Sequence, residues 1–234
     1  MVELGVFQGS KERNIDIVFC IDGTGSMVGC IDNVKNHAKR FNQELTEALV
    51  AANTNITMLR VKVIVFRDYG VDKDAMEISK FFELPADTDE FEAFVNKIDP
   101  HGGGDIPENG LEALYYAMKS DWVTEANDRQ IIVLFTDAEA LEMGARKGEP
   151  GYPADMVDFA GLETAWVCKD SQDTKLRDRL KRMVVFAPVG TIYEQRIAKG
   201  FDRVIYEPVT PENGMEEIDF SSIINSIVKS ATSV

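Results

Sequence analysis

Three residues near the start of the chain have the types and spacing to hold a hard cation. Asp22, Thr24 and Ser26 form a D-x-T-x-S pattern within Asn14–Asp32, NIDIVFCIDGTGSMVGCID. All three offer oxygen, with no imidazole or thiolate among them, which suits magnesium, manganese or calcium and not zinc. A second acid, Asp137, closes the apolar run Ile131–Asp137, IIVLFTD. The plain alternative makes Gly23 and Gly25 turn residues and Ser26 the cap of the helix that follows. Taken alone, Asp137 reads as a cap or turn.

The elements around these residues decide whether they can meet. A β-branched run, Ile15–Asp22, reads as a buried strand, and residues 1–13 read as a loose, polar lead-in. From Met27 the apolar positions Ile31, Val34, Ala38, Phe41, Leu45 and Leu49 recur at helical spacing, giving one helix to about Ala51. Leu59–Phe66 is a second strand, followed by Arg67-Asp68-Tyr69-Gly70, which brings Asp68 to the same crevice if the strands are parallel. Met76–Leu84 alternates as a half-buried edge strand, joined by a link too short for a helical crossover and therefore antiparallel. A short helix over Asp87–Ile98 precedes the glycine loop Pro100–Gly104. Asp105 then opens a helix, with Asp105 and Glu108 at capping-box spacing.

After Ile131–Asp137 comes an unusually long, Gly/Pro-rich connection, 138–160, of the kind that is functional or mobile. Leu162–Leu180 is an interrupted helix, and the basic run Lys175–Arg182 reads as a solvated helix face, with a docking patch as the alternative. Met183–Val189 is a strand, Thr191 and Glu194 cap a helix to about Ala198, Arg203–Tyr206 is a last strand, and Phe220–Ala231 is an amphipathic helix. This alternation predicts a doubly wound α/β fold, a mostly parallel sheet with one antiparallel edge strand and helices on both faces. Parallel strands would then carry Asp22 and Asp137 to one edge, where such sheets bind ligands.

Composition narrows the function classes. The 234 residues suit one large domain, 14–234 after the lead-in, and 44% hydrophobic content against 28% charged supports a full core. A net charge of −15 argues against nucleic acid or an anionic membrane as the main partner. Three cysteines, Cys20, Cys30 and Cys168, with no C-x-x-C, read as free thiols in a reducing compartment, Cys20 and Cys30 as core packing. No secretory layout or membrane-length apolar run is present, so the expected location is the cytoplasm.

The strand-end D-x-T-x-S resembles the metal-ion-dependent adhesion site of von Willebrand factor type A (VWA) domains, and the likeness extends over nearly the whole chain. A subset of intracellular relatives shares the Gly-Gly-Gly-Asp-x-Pro-Glu form of Gly102–Glu108 and the Phe-Arg-Asp-Tyr form of Phe66–Tyr69. The resemblance implies that the hydroxyls of Thr24 and Ser26 bind a divalent cation directly. It implies that Asp22 and Asp137 hold it through water, leaving the cation free to take a partner's carboxylate. Magnesium is the first choice, with manganese or calcium as alternatives. The implied function is non-enzymatic: an adaptor gripping a protein partner such as an ATPase, kinase or phosphatase of a multiprotein assembly, with the chain itself a monomer. Family members usually carry a threonine where Gly104 stands; water, a backbone oxygen or the Asp105 carboxylate would fill that gap, although Asp105 also suits a helix cap. Glycine usually follows the second aspartate, whereas here Ala138 and Glu139 do. Glu139 and Glu142 are therefore either solvated loop acids or internal ligands that shut the site.

Three other readings meet specific obstacles. A haloacid-dehalogenase-type phosphatase needs its nucleophilic acid where Cys20 stands. A dinucleotide fold needs glycine at Val28 and would set Asp22 against a pyrophosphate. A P-loop needs a Gly-Lys-Ser/Thr that the chain lacks. His37 and His101 read as solvated and surface-loop residues, with no assigned partner for nucleophilic catalysis. A metal-dependent hydrolase and a metal-free interaction module remain as alternative functions.

Overall fold

The computed structural model describes residues 11–103, 107–125, 128–167, 174–209 and 219–233. In chain order the elements are β1 (Lys11–Asp22), α1 (Val28–Ala38), α2 (Phe41–Ala51), β2 (Thr54–Phe66), β3 (Met76–Ile78), β4 (Phe82–Leu84) and α3 (Thr88–Asn96). They continue with α4 (Gly110–Met118), β5 (Arg129–Phe135), α5 (Phe159–Val167), β6 (Lys181–Pro188), β7 (Val204–Val209) and α6 (Phe220–Thr232). A 3₁₀ turn, Gly25–Met27, leads into α1, and a π-helical turn, Tyr193–Ala198, lies between β6 and β7.

The sheet runs β3-β2-β1-β5-β6-β7, with β4 also beside β2. β1, β2, β5, β6 and β7 are parallel, and β3 and β4 run antiparallel to β2. The expected fold class is thus the observed one. The chain leaves β1 for β2 on one side and later returns to β5 on the other, so the topological switch lies between β1 and β5. Alternation along β1 builds two cores. Ile15, Ile17, Phe19 and Ile21 pack with α1, α2, α3 and α6, while Val18 and Cys20 pack with α4, α5 and the π turn. Cys20 and Cys30 are buried free thiols.

Several local expectations are corrected. β1 starts at Lys11, inside the expected lead-in, because the polar stretch from Lys11 pairs in register with Thr54–Ile56. The expected single helix breaks at Lys39–Arg40, where the Arg40 N–H donates to His37 O, three residues back. The apolar spacing carries through the break, so periodicity could not reveal it. The antiparallel edge is interrupted between Ile78 and Phe82, where the Ser79 hydroxyl takes a ladder bond from Val63 N at 2.8 Å.

The basic run Lys175–Arg182 is no helix face. Lys181 and Arg182 open β6 and are 1% and 3% exposed. Lys181 Nζ donates to Trp166 O at 2.6 Å and pairs with Asp178 and Asp202 at 3.0 and 3.1 Å. Arg182 bonds Ser233 beyond α6. Nor does the helix after the glycine loop open at Asp105: α4 begins at Gly110, and Glu108 is held in a backbone bridge with Ala140. Asp105 and Gly104 lie outside the described residues, as does Cys168. Among the described residues no helix is long and apolar enough to cross a membrane.

Candidate metal centre

β1 and β5 end level with one another, Ile21 opposite Phe135, so the next residues, Asp22 and Thr136, fall side by side at the carboxyl edge. Asp22 is 0% exposed. Its Oδ1 accepts from Thr24 N at 3.0 Å and Thr24 Oγ1 at 2.7 Å, and its Oδ2 accepts from Thr136 Oγ1 at 2.8 Å. Burial pushes the Asp22 carboxyl up to about 6; the Thr24 and Thr136 bonds oppose this, and the charge of Asp137 adds to it. Thr24 Oγ1 lies 3.3 Å from Ser26 Oγ, and Ser26 Oγ donates to Asp137 Oδ1 at 3.1 Å. Four of the five residues singled out in the sequence therefore form one continuous chain, Asp22–Thr24–Ser26–Asp137. It is buried at the Asp22 end and opens to solvent at Ser26.

The capping alternative fails on this geometry. No side-chain cap bond is made at the start of either the 3₁₀ turn or α1, and the Ser26 hydroxyl points its proton at Asp137. With each hydroxyl proton directed at a carboxylate, the Thr24 and Ser26 oxygens face one another at 3.3 Å through lone pairs. Two carboxylates sit beside them, one of them desolvated. This concentration of oxygen lone pairs and negative charge is what a hard divalent cation relieves, so the donor set fits magnesium. The cluster is two carboxylates with three hydroxyls; among the described residues no group of three or more His, Cys, Asp or Glu side chains is placed to hold a metal.

The surrounding loops close on this chain. Gly103 has φ +76°, and a Cβ there would lie 2.9 Å from Thr24 Cβ. Only glycine allows both that backbone and that approach. Asp68 reaches the same edge, but its carboxylate is occupied by the Arg146 guanidinium and by Gly70 N. Glu139 does not enter the site: its Oε1 accepts from Ala140 N and Ile192 N. Glu142 is exposed. The long loop 138–160 is latched at three points: by Glu139, by Arg146 on Asp68, and by buried Glu112, which accepts from Tyr152 Oη at 2.8 Å and Gly144 N at 3.2 Å.

The His101 ring nitrogens contact Asp99 O and Asp74 Oδ1 at 2.8 and 3.2 Å. His37, expected in solvent, stacks on Phe220 with ring centroids 4.1 Å apart. Sequence reasoning missed Thr136 and Arg67. The signal for Thr136 was its place beside the strand-end acid. For Arg67 it was a charge directly after the apolar run of β2.

A family model described as von Willebrand factor A domain matches residues 16–147. Among solved structures, the pilus adhesin SpaC from Lactobacillus rhamnosus GG superposes with a TM-score of 0.55 at 13% identity, covering 94% of this chain and 30% of that one. A von Willebrand factor type A protein from Catenulispora acidiphila gives a TM-score of 0.54 at 12% identity, covering 94% and 43%. This chain thus spans less than half the length of either. No curated protein matches it.

Proposed function

Because the chain belongs to the von Willebrand factor A domain family, we propose that its strand-end cluster is a variant metal-ion-dependent adhesion site through which it grips a protein partner. The observation that carries this reading is the continuous run of oxygen donors from Asp22 through Thr24 and Ser26 to Asp137 at the topological switch, with successive oxygens 2.7, 3.3 and 3.1 Å apart. Thr24 and Ser26 would hold the cation through their hydroxyl oxygens, with Asp22 and Asp137 behind them as charge. The bound cation supplies an electrophilic position that a partner's carboxylate can fill. Thr136 and Thr24 fix the Asp22 carboxylate in place before any cation arrives, so little reorganisation is needed on binding.

With Gly104 where relatives carry a threonine, one hydroxyl is missing, and the partner's carboxylate would complete the site. The chain acts in this reading as a cytoplasmic, intracellular adaptor, monomeric and without turnover of its own. Its partner is a protein of a larger assembly, with ATPases, kinases and phosphatases as the classes to try first.

The test is calorimetric titration of magnesium and of manganese into the wild type and Ser26→Ala. Saturable binding weakened at least about tenfold by the substitution, or about 1.4 kcal/mol, supports the site. Binding equal in both proteins would sink it. So would an absence of binding that persists when a glutamate-bearing partner is added.

A further inference from the structure

Arg67 is a guanidinium with no solvent exposure, lying under the loop that carries the metal-site residues. Its Nε donates to Gly23 O at 3.0 Å, in the turn between Asp22 and Thr24. Its Nη2 donates to Asp99 O at 2.9 Å, at the root of the glycine loop whose Gly103 packs on Thr24. Its Nη1 donates to Asp74 O at 3.0 Å and Glu77 Oε1 at 3.1 Å, on the β2–β3 connection and β3. The same two loops are tied directly by one bond, His101 N to Gly23 O at 3.1 Å. Gly23 lies against the guanidinium, and a Cβ there would come within 2.8 Å of Arg67 Cζ.

We infer that Arg67 is the positioning residue of the metal site, setting the distance between the Asp22–Ser26 loop and the glycine loop and through it the affinity for cation. Two features separate this from generic support. First, the fork is used as a fork: Nε and Nη2 hold one carbonyl from each loop, which the single nitrogen of a lysine cannot reproduce. Second, the charge is answered away from the site. The acids in contact with Arg67 are Asp74 at 3.4 Å and Glu77 at 3.1 Å, with side chains 45% and 43% exposed. Asp22 and Asp137 make no ion pair with it, so their negative charge stays available to a cation. A guanidinium pairing with Asp22 would compete with the metal; one bonding only the carbonyls of the site loops shapes the site without discharging it.

The affinity part of this inference rests on the metal-site reading, and the loop part does not, so the experiment reads both. Arg67→Lys keeps the charge. Arg129→Lys, at a buried arginine on the opposite edge that bonds Ala231 O and Ser233 O, is the control for lost stability alone. Amide hydrogen exchange is followed in Gly23–Ser26 and in His101–Gly103 without metal, and magnesium affinity is measured by calorimetry. The expected result for Arg67→Lys is faster exchange in both loops together, with the β5 and β6 amides unchanged, and magnesium binding at least tenfold weaker. Arg129→Lys should lower the thermal midpoint and leave magnesium affinity and both loops as in the wild type. Unchanged exchange in either loop of Arg67→Lys, or a loss of affinity no larger than in the control, overturns the inference. If the wild type takes no magnesium even with a glutamate-bearing partner present, the metal-site reading fails and the exchange comparison alone decides whether Arg67 is the clamp.

Discussion

Asp22 sits where an ionised carboxylate costs stability. A carboxylate with no exposure, its pKa raised to about 6 by burial, with Asp137 nearby, burdens the metal-free fold. Asn in its place keeps the shape and removes the charge. Asp22→Asn is therefore expected to raise the thermal midpoint of the metal-free protein by roughly 2–4 °C, about 1 kcal/mol at this size. The same change is expected to abolish magnesium binding, a trade-off typical of functional sites. Paired thermal unfolding and calorimetry check it, and an unchanged or lowered midpoint would show that Asp22 is chiefly structural. At this scale the sequence was most readable where residue type carried the chemistry: oxygen donors at D-x-T-x-S and a second strand-end acid. Thr136 was not readable in the same way. Its role comes from β5 ending level with β1, a register that residue order along one chain does not specify.

Among the elements, the loop 138–160 departs furthest from its sequence appearance. Its length and its glycines and prolines read as functional or mobile, and in the structure Arg146 holds Asp68 in a pair whose carboxylate is 2% exposed. Removing one partner of such a pair leaves a charge buried without its counterion, which costs more than the pair itself contributes. Arg146→Ala is expected to destabilise the protein by about 2 kcal/mol, discounted for the partial exposure of the arginine, and to make the loop a preferred site of limited proteolysis. Adding Asp68→Ala should recover part of the stability and none of the protease resistance. Denaturant unfolding and timed digestion measure the two; additive losses in the double variant would mean the pair is not the latch. Helix α6 shows the opposite case. Its amphipathic pattern and the cap formed by Asp219 Oδ1 on Ser222 N at 2.7 Å agree, so local and tertiary signals coincide and the element was legible in advance.

For the whole molecule, the proposed cation binding would be linked to folding. Magnesium that binds only the folded chain adds about 2.7 kcal/mol at one hundred times its dissociation constant. At about 2–4 °C per kcal/mol for a chain of this length, the midpoint should rise by roughly 5–10 °C over that in chelator. Ser26→Ala should lose the rise, and differential scanning calorimetry measures it; an equal rise in both proteins would place the cation elsewhere. Sequence alone determined the class of this fold and which oxygen-bearing residues meet at its strand ends. Hydrophobic period distinguishes strand from helix, strand–helix alternation imposes a parallel sheet, and parallel strands deliver their terminal acids to one edge. Sequence could not place the bases that open β6, the break at Lys39–Arg40 or the burial of Arg67 beneath two loops. The first and last depend on contacts between separated segments, Lys181 with Trp166 and Arg67 with Gly23 and Asp99, and the break leaves the hydrophobic period unchanged. A charged side chain in sequence looks solvated until the fold supplies the carbonyls and counter-charges that make its burial affordable. Tertiary structure alone decided which charges those were.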